Sequence, residues 1–160
     1  MCTAATYRTD DFYMGRTLDY EFSYGEEITV MPRNFPLSFR HGGGTDRHYA
    51  IIGMAHVADG YPMFYDAVNE KGLGMVGLNF AASARYSEPE DGKQNVAQFE
   101  FIPWVLSQFA SLGQARSAIE KINLVGTTYD SRYPAAKMHW IIADKSGAIT
   151  VEPTESGLKI

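Results

Sequence analysis

The sequence predicts an α+β fold, and three observations carry that reading. Short β-prone runs separated by turn residues fill the first half of the chain. A stretch of helical period follows between positions 101 and 122, and the strand pattern then returns from Met138. A chain of 160 residues normally makes one domain or part of one, and 45% hydrophobic residues are enough for its core.

The first two strands are read from Cys2 to Arg8 and from Phe12 to Leu18, joined by the polar turn Thr9-Asp10-Asp11. A third, Glu27 to Met31, is stopped by Pro32, with Pro36 following. The segment His41-Gly42-Gly43-Gly44-Thr45-Asp46 is expected to be a loop too flexible for regular structure. His41 and His48 have no partner at metal-binding spacing and are read as surface histidines.

Tyr49 to Val57 is a nearly continuous apolar run of strand length, with His56 on it read as structural. Met63 to Val68 is another strand, and the turn Asn69-Glu70-Lys71-Gly72 leads into a further one, Leu73 to Phe80. Gly72-Leu73-Gly74-Met75-Val76-Gly77 matches a dinucleotide-binding pattern, with Asp91 near the spacing of a ribose-binding acid. That site needs a helix beginning inside the glycines. These glycines lie in a β-like run, so no cofactor is expected.

After the polar loop Ser87 to Lys93 the period becomes helical. Phe101, Val105 and Phe109 fall four apart, Trp104 and Leu106 widen the stripe, and Pro103 requires the helix to start near Phe101. Ser111 is placed to cap a second helix whose stripe is Leu112, Ala115, Ile119 and Ile122, leaving Arg116, Glu120 and Lys121 in water. Tyr129 to Pro134 is an aromatic-rich loop. Met138 to Ala143 and Ala148 to Glu152 then form a hairpin about Asp144 to Gly147, and Leu158 to Ile160 reads as one more arm, as though the chain ended mid-fold.

Composition excludes several functions. Fourteen basic residues against 19 acidic give −5, and no basic cluster appears, which argues against nucleic acid. No run approaches the apolar length of a membrane span, and Asp10 and Asp11 stand where a secretory leader would need an apolar run. The expectation is a cytoplasmic protein with no membrane partner, consistent with a single cysteine that can form no internal disulfide.

That cysteine is Cys2, and its small side chain favours removal of Met1. Cleavage would put a thiol and a free amine on one residue, and an α-amine titrating near 7.7 to 8.0 can take the thiol proton without a histidine. A lone cysteine is more often a small buried hydrophobe, but Arg16 and Asp19 follow closely enough to hold and tune a nucleophile. On a regular strand, residues three apart point to opposite faces. Arg16 and Asp19 therefore need a local irregularity to converge.

Put together, Met1-Cys2-Thr3, Gly15-Arg16-Thr17-Leu18-Asp19-Tyr20, Asn69-Glu70-Lys71-Gly72-Leu73 and Gly77-Leu78-Asn79-Phe80 resemble the choloylglycine hydrolase family. Ser23-Tyr24-Gly25-Glu26, Pro32-Arg33, His139-Trp140 and Val151-Glu152 occur in the family's order, so the resemblance covers the whole chain. It implies an N-terminal nucleophile hydrolase, a four-layer αββα sandwich, of which residues 1–160 would be the N-terminal portion of one domain with the second half absent. By resemblance, Cys2 supplies thiol and amine, Arg16 and Asp19 hold them, and the Asn79 side chain donates to the oxyanion. Asparagine at that position resembles bile salt hydrolases, whereas penicillin V acylases tend to carry tyrosine.

The implied reaction is hydrolysis of glycine- or taurine-conjugated bile salts, with no cofactor or metal and a homotetrameric assembly. The substrate site implied comprises Cys2, Arg16, Leu18, Ala58, Tyr65, Asn79, Tyr129, Tyr133, Ala136 and Met138, several of them tyrosine or alanine where better-known relatives have other apolar residues. A further asparagine and an arginine of the family's site fall beyond residue 160. The alternatives are a penicillin V acylase-type amidase, a bile-acid acyltransferase, and an inactive fragment that binds steroid or oligomerises.

Overall fold

The structure is a computed structural model that describes residues 2–21 and 23–160; Met1, and with it the expected cleavage, lies outside the described residues. The chain opens with a hairpin of β1 (Ala4–Arg8) and β2 (Phe12–Arg16), each a little shorter than the apolar alternation suggests. β3 (Glu26–Met31) follows, then a small hairpin of β4 (Leu37–Phe39) and β5 (Gly43–Thr45). The glycine-rich segment is thus partly regular: Gly43 and Gly44 pair through their backbone with Phe39 and Ser38, which corrects the loop expected there. β6 (Ile51–Ala58), β7 (Tyr61–Asn69) and β8 (Gly74–Asn79) form a meander.

Besides β4 and β5, two further strands escaped the sequence. β9 (Gln94–Ala97) leads through a 3₁₀ turn into α1 (Phe101–Gln108), α2 spans Leu112–Ile119, and β10 (Ile122–Val125) pairs parallel with β9. Ile122, expected on the second helix's stripe, therefore belongs to a strand, because the chain leaves the helix at Glu120. Pro103 sits in the first turn of α1, and the Ser111 hydroxyl accepts from the Gln114 amide at 3.4 Å to cap α2. β11 (Met138–Asp144), β12 (Gly147–Thr154) and β13 (Gly157–Lys159) close the fold as antiparallel neighbours.

The main sheet has seven antiparallel strands in the order β13-β12-β11-β8-β7-β6-β3. Helix α1 packs on one face, where Ile51, Ala67, Met75 and Ile142 meet Phe101, Val105 and Leu106. Trp140 is buried edge-on against Phe101, ring centroids 4.9 Å apart. Asn69 fixes the helix to the sheet: its amide donates to the carbonyls of Leu106 and Phe109, both at 2.8 Å, and its oxygen accepts from Lys71 and Leu73. All four bonding positions of a buried amide are used, two of them on carbonyls that the end of α1 would otherwise leave unpaired.

On the opposite face the register sets Val30, Ile52 and Val68 in one row and Ile28, Met54, Asp66 and Val76 in the next. The β1–β2 hairpin lies over part of it, with the Met14 sulfur above Gly74 and Arg16 reaching Asp66. Gly53 marks the closest approach within this sheet. A Cβ there would overlap the Asp66 carbonyl oxygen and lie 2.6 Å from Ala67, beside the irregularity at Met54/Ala55 that re-aims β6. Among the described residues no helix is long and apolar enough to cross a membrane.

Candidate active site

The irregularity that Arg16 and Asp19 require is the end of β2. After Arg16 the chain leaves the ladder: the Thr17 amide donates to the Thr3 carbonyl at 2.9 Å, and the Thr17 hydroxyl accepts from the Thr3 amide and donates to the Asp19 carboxylate at 3.0 Å. This turn brings the Asp19 main-chain oxygen to 3.9 Å from the Cys2 sulfur. Asp19 thus meets the thiol through its backbone, while its carboxylate braces the turn.

Arg16 points inward and is nearly buried. One guanidinium nitrogen pairs with Asp66 at 3.2 Å, and another donates to the Gly77 carbonyl at 2.9 Å. Its Nε has no partner among the described residues. Burial raises the Asp66 carboxyl above the ordinary carboxylate range, with the charge of Arg16 opposing it. On its other side Gly77 makes room for the pocket residue Met138, because a Cβ there would press on that side chain at 2.9 Å.

Tyr20 connects this corner to the substrate-sized cavity. It follows Asp19, whose main-chain oxygen faces the Cys2 sulfur, and burial raises its phenol above the ordinary tyrosine range, with the charge of Arg16 opposing that shift. The Tyr20 and Tyr65 rings meet at a tilt, centroids 5.7 Å apart, and both line a pocket of about 470 Å³, within the range of small-molecule sites. Of the residues singled out in the sequence, Tyr65, Asn79, Tyr129, Tyr133, Ala136 and Met138 line this pocket. Asn79 ends β8 opposite Met138, with its side chain exposed. Leu18 lies with Arg16 along a separate cleft between β2 and the sheet, and Ala58 stands behind the wall, its carbonyl accepting the Tyr129 hydroxyl at 2.9 Å.

The wall is a loop held by side chains from distant positions. The Tyr86 hydroxyl donates to the Ala136 carbonyl at 2.7 Å and accepts from the Met138 amide at 2.9 Å. Arg40 donates to the Tyr129 carbonyl at 3.0 Å, and Arg132 pairs with Asp130 and Asp59. Burial pushes the phenols of Tyr65 and Tyr86 up to about 12, so both stay protonated donors at neutral pH. Behind the wall the buried carboxyl of Glu100 accepts the Arg40 amide at 2.7 Å through one oxygen, while the other has no partner among the described residues. Desolvation pushes Glu100 up to about 7, against the hydrogen bond and charge of Arg40.

His41 is exposed, as read from the sequence, whereas His48 and His56 are partly buried. His41, exposed, bonds Thr127 at 2.7 Å; His48, partly buried, lies between the carbonyls of Phe35 and Tyr49. His56 lines the pocket, its Nε2 2.9 Å from the Tyr133 hydroxyl. Sequence reasoning also missed Tyr20, Tyr24, Met63, Phe99 and Ile102 as lining residues; only Tyr20, adjoining Asp19, carried a local signal. Gly74 and Gly77 of the dinucleotide-like pattern lie within β8. No group of three histidine, cysteine or acidic residues among those described is arranged to hold a metal.

This geometry can be set beside known proteins. The sequence profile of the linear amide C–N hydrolases, choloylglycine hydrolase family, matches residues 2–160. The bile salt hydrolase/transferase of Lactiplantibacillus plantarum is 46% identical over 160 residues, covering all of this chain and 49% of the relative. The enzyme of the same description from Clostridium perfringens is 36% identical over 165 residues, covering all of this chain and 50% of its own. The chain spans about half the length of the curated relatives it matches. A crystal structure of a cysteine-to-alanine mutant of the conjugated bile acid hydrolase from Clostridium perfringens superposes with a TM-score of 0.92 at 36% identity, over 99% of this chain and 50% of that one. Penicillin V acylase from Agrobacterium tumefaciens, at 18% identity and a TM-score of 0.75, shares the fold over 99% of this chain and 48% of its own. The N-terminal nucleophile hydrolase fold expected from the sequence is therefore the one observed, and the chain belongs to the choloylglycine hydrolase family.

Proposed function

We propose that the protein hydrolyses the amide bond of glycine- or taurine-conjugated bile salts, with Cys2 as nucleophile. The observation that carries this is the step from Asp19, whose main-chain oxygen lies 3.9 Å from the Cys2 sulfur, to the next residue, Tyr20, on the wall of a largely apolar pocket that Asn79 also lines. The relatives described as bile salt hydrolases support the substrate class.

With Met1 removed, the α-amine of Cys2 accepts the thiol proton and the sulfur attacks the amide carbonyl. Negative charge moves to the carbonyl oxygen, to which the Asn79 amide donates in this proposal. Collapse of the tetrahedral intermediate breaks the C–N bond, and the α-ammonium returns the proton to the departing glycine or taurine nitrogen. Water, deprotonated by the same amine, then attacks the thioester and releases the bile acid and the thiol. Arg16, anchored to Asp66 and Gly77, holds the hairpin end against the sheet. An amine in place of water would give acyl transfer, a second reading favoured by the hydrolase/transferase description of the relatives. The homo-oligomer rests on the family resemblance and the cytoplasmic location on the composition of the sequence, and gel filtration and cell fractionation test them.

The experiment is release of glycine or taurine, followed by mass spectrometry, from protein expressed from its complete coding sequence. Wild type should turn over and carry Cys2 at its N-terminus. Cys2→Ser, which keeps the geometry but replaces a thiol by a hydroxyl far harder to ionise, should lose activity by about three orders of magnitude or more. Wild-type rates in that variant, or activity with Met1 retained, would overturn the mechanism.

A further inference from the structure

Most of the pocket is apolar, as Met63, Phe64, Ile102 and Met138 make it, yet an imidazole is set into its wall. His56 Nε2 lies 2.9 Å from the Tyr133 hydroxyl and the rings are 5.1 Å apart, while Nδ1 is buried near Gly25 with no partner among the described residues. The pair has unused bonding capacity in either tautomer. If Nε2 accepts, the phenol oxygen can still accept from a ligand; if Nε2 donates, the phenol proton is free to be given to one. That spare capacity, set in a largely apolar wall, is what a polar group on an apolar ligand can complete.

The pair is also held rigidly. The Tyr133 amide donates to Asp130 at 3.2 Å and its carbonyl accepts from Tyr129 at 3.1 Å, while the Arg132 guanidinium lies 5.2 Å from the centre of the Tyr133 ring. His56 is fixed from the other side by β6, paired with Glu26 of β3 and Met63 of β7. The Tyr133 phenol therefore meets a ligand in one place, which is what fixing the orientation of an otherwise apolar ligand requires.

We propose that His56 and Tyr133 form a hydroxyl-reading subsite, which selects acyl groups carrying a hydroxyl on an apolar ring skeleton. This rests on the hydrolase reading above and deepens it: conjugates sharing one ring skeleton but differing in hydroxyl count become distinguishable substrates. A site that hydrogen-bonds a substrate hydroxyl rejects the analogue lacking it, whereas a purely apolar wall discriminates only weakly.

The test compares kcat/KM for glycine-conjugated bile salts bearing three, two and one ring hydroxyls, in wild type, Tyr133→Phe and His56→Leu, all expressed from the complete coding sequence. Wild type should lose about tenfold or more on removal of one particular hydroxyl. Tyr133→Phe, which keeps the ring and deletes only the bonding group, should bring that ratio below about threefold, and His56→Leu should do the same. A wild type indifferent to hydroxyl count, or a ratio that Tyr133→Phe leaves unchanged, overturns the subsite. Absence of turnover on every conjugate would sink the hydrolase reading instead. In that case calorimetric binding of the free trihydroxy and monohydroxy bile acids decides the subsite: a preference abolished by Tyr133→Phe supports it, and no preference overturns it.

Discussion

The two ends of the candidate site are built in opposite ways. At the proposed nucleophile end the bonds about Cys2 itself are local: Thr3, Thr17 and Asp19 organise it within one hairpin and the turn after it, while Arg16 anchors that hairpin to the sheet. At the pocket end the wall over residues 129–138 is held by Arg40, Ala58, Asp59 and Tyr86, positions far away in the chain. Chemistry that depends on a few atoms is held by short-range contacts. Recognition of a whole skeleton is assembled by the tertiary fold, and so it inherits the stability of the sheet.

Asn79 lines the pocket at the end of β8, and Asn79→Ala is the sharpest test of how the two ends divide the work. As an oxyanion donor its loss should lower kcat about a hundredfold or more with little change in KM, because the bond strengthens only as charge develops. Steady-state kinetics with a glycine conjugate read this directly; a raised KM with unchanged kcat would move Asn79 to the recognition end.

Arg16→Met breaks the link between the hairpin and the sheet. It strands a carboxyl that is only a quarter exposed, and urea unfolding at pH 8 should show a loss of about 2 to 3 kcal/mol, discounted from the fully buried case. Asp66 already sits above the ordinary carboxylate range, so protonation relieves the loss, and the deficit should shrink toward pH 4. A deficit independent of pH would mean that Arg16 acts through packing alone.

Tyr86→Phe loosens the wall without touching the nucleophile. Two hydrogen bonds go, one to Ala136 and one from Met138, for about 1 to 2 kcal/mol of stability. KM should rise several-fold while kcat holds, as steady-state kinetics would show; an equal fall in kcat would tie the wall to the chemistry.

Glu100→Gln should give the smallest effect. A carboxyl whose pKa is raised by folding contributes stability that is fully present below its ordinary 4.5 and lost as pH rises through about 7. The variant's melting temperature should therefore vary less than wild type's between those values, with the curves diverging toward pH 8. Parallel melting curves would show that Glu100 does not titrate in that window.

The same contrast explains what was legible in the sequence. Hairpins and the α1 start announce themselves through turn residues and Pro103, and Cys2, Arg16 and Asp19 stand in one short stretch. β9 and β10 pair with partners 28 positions away, and Ile122 continues a helical spacing after the helix has ended, so no local signal separates them. Tyr65, Tyr129 and Tyr133 were reached only through resemblance. His56 looked like any polar residue on a buried strand, because whether such a strand backs the core or a cavity is decided by what packs against it.

Gly53 has a consequence for heredity. Any side chain there would strike the strand whose Asp66 carboxylate steadies Arg16. Every single-base change that alters a glycine codon's meaning adds a side chain or stops translation, so this position has no silent escape to a neighbouring amino acid. A random-mutation screen scored for lost turnover should place Gly53 beside the nucleophile, although its backbone lies one strand away from the chemistry.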